Sequence, residues 1–153
     1  MINELFYKTS ASVEETENIG SELARAILSD QALPRFVAFY GDLGSGKTAF
    51  TRGFTSVVAP SSAVRSPTFT VVNEYRGGSI PVFHFDMYRI DGEDDLYSIG
   101  FFDYLSAGIC LCEWSENIGF ALPDEYIKLE ISRPSQPDSE NVREIRATLI
   151  SSN

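Results

Sequence analysis

The sequence is poor in cysteine, histidine and positive charge. Its 153 residues include two cysteines and one histidine, too few for a disulfide framework or for a zinc site built from such ligands. Cys110 and Cys112 lie two residues apart without a CxxC spacing, so we interpret them as small apolar core residues. The lack of a disulfide framework favours a cytoplasmic location.

Long apolar runs and a basic surplus are also missing. There is no run of about 18 apolar residues, and residues 1–10 contain Glu4 but no long apolar stretch, so we expect neither a membrane span nor a secretory signal. The chain has 22 acidic and 12 basic residues, a formal net charge of −10. Proteins that bind nucleic acid directly usually carry a basic surplus. Any role in a nucleic-acid pathway is therefore expected to pass through a protein partner.

Hydrophobic patterning predicts a mixed α/β domain over residues 1–153. Ser12 and Glu15 have the spacing of a capping box before a helix over about residues 12–28. Phe36–Tyr40 is predicted to be a strand covered on both faces, and a second helix is predicted from near Gly46 to before Pro60.

The rest of the chain is mostly strand-like. Short helices are expected at residues 93–99 and 101–106. Strands are expected at residues 5–9, 68–75, 82–88, 109–114, 126–132 and 142–150. The strands at 68–75 and 82–88 are expected to form an antiparallel hairpin. We predict a P-loop NTPase fold with three layers and a mixed sheet, parallel at its centre with antiparallel additions.

The segment 41–48, GDLGSGKT, fits the phosphate-loop pattern G-x-x-x-x-G-K-[ST]. Gly44 and Gly46 permit backbone angles that let amide N–H groups turn towards phosphate, and the following helix presents its positive end. Lys47 is expected to reach the β- and γ-phosphates of a nucleoside triphosphate, and the Thr48 hydroxyl to bind Mg²⁺. The predicted nucleotide-binding loop comprises Asp42, Leu43, Gly44, Ser45, Gly46, Lys47 and Thr48.

Two acids follow apolar runs, as the carboxylate of a Mg-nucleotide site does. Asp86 ends the run that begins at Val82, and Glu113 ends the run that begins at Ile109. We expect both near the magnesium ion and a water molecule, and the pattern does not rank them. An ordinary solvent-facing acid is the alternative for each. The side chain of Asp103, like that of Asp42, is interpreted as structural or surface.

Several other residues have two readings. Thr68 and Thr70 lie where P-loop switch proteins sense the γ-phosphate, but threonine also suits a strand. His84 is interpreted as a packed core residue. Trp114 either packs over the nucleotide or belongs to the core. The arginines that could meet phosphate or a partner are Arg52, Arg65, Arg89, Arg133 and Arg143.

Four motifs together resemble one family. The segments GDLGSGKT (41–48), SPTFT (66–70), HFDMYR (84–89) and EW (113–114) occur in this order. They resemble the bacterial TsaE family, also called YjeE, of ATPases for tRNA threonylcarbamoyladenosine biosynthesis, over nearly the whole chain. The resemblance implies a small cytoplasmic ATPase that binds ATP and Mg²⁺ and works with the proteins TsaB and TsaD. These partners place threonylcarbamoyl on adenosine 37 of tRNA, and the ATPase meets tRNA only through them.

The resemblance also implies roles for individual residues. Thr48 and Glu113 match the magnesium positions, Asp86 matches the Walker B-like acid, and Thr68 lies in the switch-like segment. Lys47 and the loop amides match the phosphate site. The start of the family's first helix and a late arginine also approach the nucleotide, and their nearest matches here are Ser12 and Arg143.

Two other functions use the same loop. A small nucleotide or metabolite kinase needs an acceptor pocket and an arginine-rich lid, and no lid segment is recognised in the sequence. A regulatory module would bind nucleotide with negligible hydrolysis.

Overall fold

A computed structural model describes residues 2–41, 46–67, 70–134 and 141–151 of the chain. The strands are β1 (Ile2–Ser10), β2 (Phe36–Tyr40), β3 (Val72–Tyr75), β4 (Val82–Asp86), β5 (Ile109–Glu113), β6 (Glu125–Ser132) and β7 (Arg143–Ser151). The α-helices are α1 (Val13–Ser29), α2 (Lys47–Val58), α3 (Glu93–Ile99) and α4 (Phe101–Tyr104). A 3-10 helix, Ser115–Ala121, is interrupted at Ile118.

The strands lie in one sheet in the order β1-β7-β6-β2-β5-β4-β3. β2 pairs in parallel with β5 and β6, and β4 pairs in parallel with β5. The outer strands β3, β7 and β1 pair antiparallel with their neighbours. The predicted mixed sheet is therefore confirmed. Because the four central strands run in one direction, their carboxyl ends meet at one edge, where open α/β sheets bind their ligands.

Helices cover both faces of this sheet, which confirms the predicted three layers. On one face α1 and α2 pack over strand side chains such as Val37, Phe39 and Leu111. On the other face α3 and α4 pack over the alternate positions, among them Phe36 and Cys110. Successive side chains of a strand point to opposite faces. A strand covered on both sides, such as β2, is therefore apolar throughout.

Helix α1 begins where the capping pattern predicts. Ser12 is the N-cap residue, and its hydroxyl accepts a hydrogen bond from the N–H of Glu15 over 3.1 Å. The Glu15 carboxylate accepts from the N–H of Ala11 at 3.3 Å rather than from that of Ser12, so the capping box is one residue wider than usual. One stripe of the helix faces the sheet and is buried at Ile19, Leu23, Ala24 and Ile27.

The backbones of α1 and α2 touch through two glycines. A Cβ atom added at Gly20 would lie 2.2 Å from the carbonyl oxygen of Phe50, and one at Gly53 would lie 1.9 Å from that of Glu17. Only glycine permits so close an approach. The Ser21 hydroxyl also donates to the carbonyl oxygen of Gly53 over 2.9 Å. The helix after the phosphate loop is thus held against α1 by backbone contact.

The strand predicted at residues 68–75 is wrong at Thr70 and Val71, which form a turn. Strand β3 begins at Val72, and residues 68 and 69 lie outside the described part of the chain. The N–H groups of Thr70 and Val71 both donate to the carbonyl oxygen of Pro67, at 3.2 and 2.9 Å, and so form a turn. Val71 then takes a φ of +69°, a left-handed conformation that redirects the chain into β3.

Two further strands are shorter than predicted. Strand β4 ends at Asp86, because the carboxylate of Asp86 accepts from the N–H of Tyr88 at 2.9 Å and turns the chain. Strand β5 ends at Glu113, since Trp114 has a φ of +60°. Tyr88 lies just after β4 and Trp114 just after β5. The sequence pattern did not indicate that each strand ends before this bulky residue.

The cysteines are core residues, as predicted. Cys110 and Cys112 are buried, free thiols, and burial raises the pKa of the Cys110 thiol to about 12 and that of Cys112 further still. Among the described residues, no helix combines the length and the apolar character needed to cross a membrane.

Candidate functional site

The predicted phosphate loop is described at its two ends, Gly41 and the start of α2. Gly41 and Gly46 both have positive φ, +147° and +109°, so the backbone on either side of the loop takes angles that favour glycine. Lys47 and Thr48 form the first turn of α2; the Lys47 side chain is buried and Thr48 is exposed. The other loop residues that the sequence nominates lie outside the described residues: Asp42, Leu43, Gly44 and Ser45.

Arg143 and the start of α1 lie beside this loop. A Cβ atom added at Gly46 would lie 3.7 Å from Cγ2 of Thr16 and 3.9 Å from Cγ and Nε of Arg143. Thr16 is one turn from Ser12, to whose carbonyl oxygen its N–H donates over 3.1 Å. Arg143, which the resemblance nominates outside the loop, therefore lies close to Gly46, and Ser12, the other nominated residue, lies one helical turn from Thr16.

A second arginine accompanies Arg143. Arg143 opens β7, and Arg133 follows the end of the adjacent strand β6. Burial and then the positive charge of Arg133 lower the pKa of the Arg143 guanidinium. Of the other arginines, Arg52 pairs with Glu17 on the surface of α2 at 2.8 Å. Arg133 and Arg143 thus form a basic pair near the phosphate loop.

Asp86 and Glu113 lie opposite each other. They are register partners at the ends of the parallel strands β4 and β5, so their side chains leave the same face of the sheet. Asp86 is 6% exposed, and the Glu113 side chain is 14% exposed. His84 and Leu111 lie on the same face of the sheet as the two acids, and Leu111 belongs to the core beneath α1 and α2. The acids therefore lie on the face that α1 and α2 cover. The structure therefore brings both predicted acids to the side of the sheet that carries the phosphate-loop helix.

Trp114, which follows Glu113 in the sequence, contacts Lys47. The ammonium nitrogen of Lys47 lies 5.8 Å from the centroid of the Trp114 ring, within the range of a cation–π contact. The Tyr88 ring packs against the Trp114 ring, and the two ring centroids are 4.9 Å apart. Trp114 is half-buried and follows Glu113 directly. The Trp114 ring packs against the core cluster on the α3–α4 face, as one of its two readings requires, and it also lies beside Lys47.

His84 has a specific polar partner that the sequence did not reveal. Its Nε2 lies 2.5 Å from Oε2 of Glu113, and its Nδ1 lies 3.3 Å from the Tyr75 hydroxyl. His84 is fully buried, as its interpretation as a core residue requires. The Tyr75 hydroxyl also contacts the backbone of Arg65, accepting from the N–H at 3.0 Å and lying 2.9 Å from the carbonyl oxygen. No pattern in the sequence nominated Tyr75, because its partners lie on β4 and in the chain between α2 and β3.

The threonine-rich segment is anchored at both ends by β3. Asn73 donates from Nδ2 to the carbonyl oxygen of Arg65 at 3.0 Å, and its Oδ1 accepts from the Thr70 hydroxyl at 2.7 Å. Thr70 therefore engages Asn73 in this structure. The carbonyl oxygen of Val71 accepts from the N–H of Asp86 at 2.8 Å. Thr68, the other predicted switch residue, lies outside the described residues.

The donor set fits magnesium bound to a nucleotide. Within the described ranges, no three or more histidine, cysteine and acidic side chains are grouped to hold a metal ion. Mg²⁺ usually takes one or two protein carboxylates and completes its coordination with phosphate oxygens and water. Two acids at strand ends and a threonine on the first turn of α2 match that requirement, whereas the described residues form no metal cage from protein ligands alone.

The chain is similar to proteins of one family. The family model described as "Threonylcarbamoyl adenosine biosynthesis protein TsaE" matches residues 10–144. The tRNA threonylcarbamoyladenosine biosynthesis protein TsaE of Bacillus subtilis (strain 168) is 41% identical over 101 residues, 65% of this chain and 63% of that protein. The protein of the same name from Haemophilus influenzae is 38% identical over 114 residues, 74% and 71% of the two chains. The aligned region thus spans just under two thirds of the Bacillus relative.

A solved structure has the same architecture. The crystal structure of YdiB from Bacillus subtilis superposes with a TM-score of 0.75 at 31% sequence identity, and the match covers 99% of this chain and 88% of that one. Since the family model spans most of the sequence and the fold agrees over nearly all of it, the chain belongs to the TsaE family and has the fold of P-loop nucleoside triphosphatases.

Proposed function

We propose that this protein is an ATPase subunit that acts in tRNA threonylcarbamoyladenosine biosynthesis, as a single ATP-binding domain. The observation that carries the proposal is the meeting of two groups of residues. Lys47, at the start of α2, contacts the ring of Trp114, and Trp114 directly follows Glu113, the register partner of Asp86. A phosphate-binding lysine and two carboxylates at one sheet edge are the parts that nucleotide hydrolysis requires.

Each part has a distinct role in the proposed site. Gly46 leaves room for the backbone amides at the start of α2 to face phosphate, and the Lys47 ammonium binds the β- and γ-phosphate oxygens. Thr48 and Glu113 hold Mg²⁺, which would neutralise charge developing on the phosphates. Asp86, also a candidate magnesium ligand, orients the attacking water. Arg143, beside Gly46, and Ser12, at the start of α1, are proposed to approach the nucleotide.

The partner proteins are those that the family resemblance implies, and the net charge agrees with an indirect route to tRNA. The relatives carry names that place them in tRNA threonylcarbamoyladenosine biosynthesis. A net charge of −10 disfavours direct contact with the phosphates of tRNA. We therefore propose that the protein reaches tRNA through TsaB and TsaD in the cytoplasm, and that it does not itself transfer the carbamoyl group.

The decisive experiment uses Lys47→Ala. Losing a charge-assisted contact to phosphate costs about 1.5–3 kcal/mol, or roughly 10- to 150-fold in ATP affinity. Lys8→Ala is the matched control, because Lys8 pairs with Glu22 on an exposed surface. Calorimetry measures ATP binding, and a mixture with TsaB, TsaD and tRNA measures modification. Lys47→Ala should lose both, and Lys8→Ala neither.

Three results would contradict the proposal. Modification retained by a variant that no longer binds ATP would show that the nucleotide is not used for this purpose. Failure to associate with TsaB and TsaD in any nucleotide state would exclude the subunit role. Transfer of labelled phosphate to a small-molecule acceptor, rather than to water, would indicate a kinase instead.

A further inference from the structure

Tyr75, His84 and Glu113 form a line across three neighbouring strands. Tyr75 lies on β3 opposite Val82 of β4, two residues before His84, so Tyr75 and His84 share a face of the sheet. Glu113 lies on β5 opposite Asp86, two residues after His84, and shares the same face. Diagonal neighbours of this kind are within reach of long and aromatic side chains. The pairing of the strands, not chance contact, therefore brings the three side chains together.

The imidazole is placed to hold one carboxylate in one orientation. The His84 side chain has no exposed surface, whereas that of Glu113 remains 14% exposed at the sheet edge. An ionised carboxylate only accepts hydrogen bonds, so Nε2 carries the proton and donates to Oε2 of Glu113. The second carboxylate oxygen is then left for other ligands. Histidines that hold metal-binding carboxylates or ligands in this way orient them and tune their basicity.

On its other side, the imidazole is linked through the Tyr75 hydroxyl to the chain after α2. Nδ1 faces the Tyr75 hydroxyl at 3.3 Å, and that hydroxyl lies 2.9 Å from the carbonyl oxygen of Arg65. A tyrosine hydroxyl has a single proton. It therefore serves either the imidazole or the Arg65 carbonyl at one time. Arg65 directly precedes the segment that holds Thr68.

We propose that His84 is a positioning residue for Glu113, and that Tyr75 couples it to the backbone of Arg65. The line Arg65–Tyr75–His84–Glu113 lets the position of the segment after α2 set the orientation of an acid of the magnesium site. This role rests on the proposed binding of Mg-ATP. The hydrogen-bonded line itself does not, so the two can be tested separately.

The first experiment needs no nucleotide. His84 is the only histidine in the chain, so an untagged, ¹⁵N-labelled protein gives a single set of imidazole signals by NMR. We expect a protected, downfield Nε2 proton that shifts in Glu113→Gln and an Nδ1 signal that shifts in Tyr75→Phe. Tyr104→Phe is the matched control, since the Tyr104 hydroxyl donates to Glu74 instead. An imidazole spectrum unchanged by Glu113→Gln and Tyr75→Phe would overturn the proposal.

The second experiment measures the effect on magnesium. His84→Leu removes the donor, whereas His84→Gln keeps an amide N–H near the position of Nε2. Changes in residues that support metal ligands typically cost about 10- to 100-fold in metal affinity or activity. We expect a loss of that size in the magnesium-dependent gain of ATP affinity for His84→Leu, partial recovery in His84→Gln, and unchanged affinity without magnesium. Tyr75→Phe should show a smaller loss in the same direction.

The outcomes separate the two proposals. A magnesium dependence in His84→Leu equal to that of the unmodified protein would overturn the positioning role alone. If the unmodified protein bound no Mg-ATP, the proposed function would fail, and the NMR signals would still decide whether His84 holds Glu113. Should His84→Leu not unfold cooperatively, Tyr75→Phe, which removes one oxygen atom, carries the comparison.

Discussion

Asp86 and Glu113 face each other across β4 and β5, and each carboxylate has a different hydrogen-bond partner. Glu113 is held by His84, and Asp86 accepts from the N–H of Tyr88, two residues further on. The N–H of Met87 donates to the carbonyl oxygen of Glu113 at 3.0 Å and extends the pairing beyond the strand ends. The two acids can therefore be changed one at a time without displacing the other.

Replacing these acids should show which of them binds magnesium. Coulomb's law gives about 4 kcal/mol for unit charges 4 Å apart at an effective dielectric constant of 20, so loss of a direct ligand should cost more than about 100-fold in magnesium-dependent ATP affinity. We expect this loss in Glu113→Gln. Asp86→Asn should mainly slow hydrolysis. Calorimetry with and without magnesium measures the first effect, and phosphate release measures the second.

Asp103→Asn is the control for this pair, because Asp103 is an exposed acid on α4. Its affinity and turnover should match those of the unmodified protein. Normal magnesium dependence in both Glu113→Gln and Asp86→Asn would show that neither acid meets the ion.

ATP binding should change the fluorescence of Trp114. It is the only tryptophan in the chain, and the Lys47 ammonium lies over its ring. Bound phosphates draw this ammonium away and alter the field at the indole. We expect a saturable change in emission on titration with ATP, and no such change in Lys47→Ala. Emission that stays constant while calorimetry detects binding would contradict the contact between Lys47 and Trp114.

Adding a methyl group between α1 and α2 should destabilise the fold. The Cβ of Gly53→Ala would lie 1.9 Å from the Glu17 carbonyl oxygen, so the helices must separate. Overpacking typically costs about 1–3 kcal/mol, and we expect the upper part of this range in the free energy of unfolding by urea. Gly119→Ala is the matched control, because nothing lies within 4 Å of its added Cβ. Equal stabilities would show that the helices are not in backbone contact.

Stability should fall above pH 9. Burial raises the pKa of the Cys110 thiol from 9.0 to about 12, and that of the Tyr40 hydroxyl from 10.0 to about 12. In this window the unfolded chain releases protons that the folded chain retains, so the free energy of unfolding decreases as the pH rises. One such group contributes up to about 1.4 kcal/mol per pH unit. Between pH 9 and 12 the decline, measured by urea unfolding under reducing conditions, should be steep.

Removing the thiols tests the cause of this decline. The double variant Cys110→Ala, Cys112→Ala should show a shallower dependence on pH, whatever its stability at pH 8. A slope identical to that of the unmodified protein would mean that the thiols are not buried.

Local patterns predicted those features that depend on neighbours in the sequence. The cap at Ser12, the apolar strand β2 and the glycine at the start of α2 follow from short-range rules of capping, burial and backbone freedom. The strand-end acids, Asp86 and Glu113, were visible for the same reason, because each ends an apolar run.

Features that depend on strand order and register were not predictable in this way. The contact between His84 and Glu113 exists only because β4 and β5 pair with Asp86 opposite Glu113. Arg143 approaches Gly46 because β7 pairs with β6, and β6 pairs with β2, the strand before the phosphate loop. Only the resemblance pointed to Arg143. The positive φ angles of Val71 and Trp114 escaped prediction because β-branched and bulky residues rarely adopt them.

The close approach of α1 and α2 bears on how the molecule can move. Helices whose backbones touch at Gly20 and Gly53 have no layer of side chains that could slide or re-pack between them. We therefore expect the two helices to move as one rigid body, with the start of α2 at a fixed distance from α1. Spin labels on α1 and α2 would then keep a constant separation with and without nucleotide.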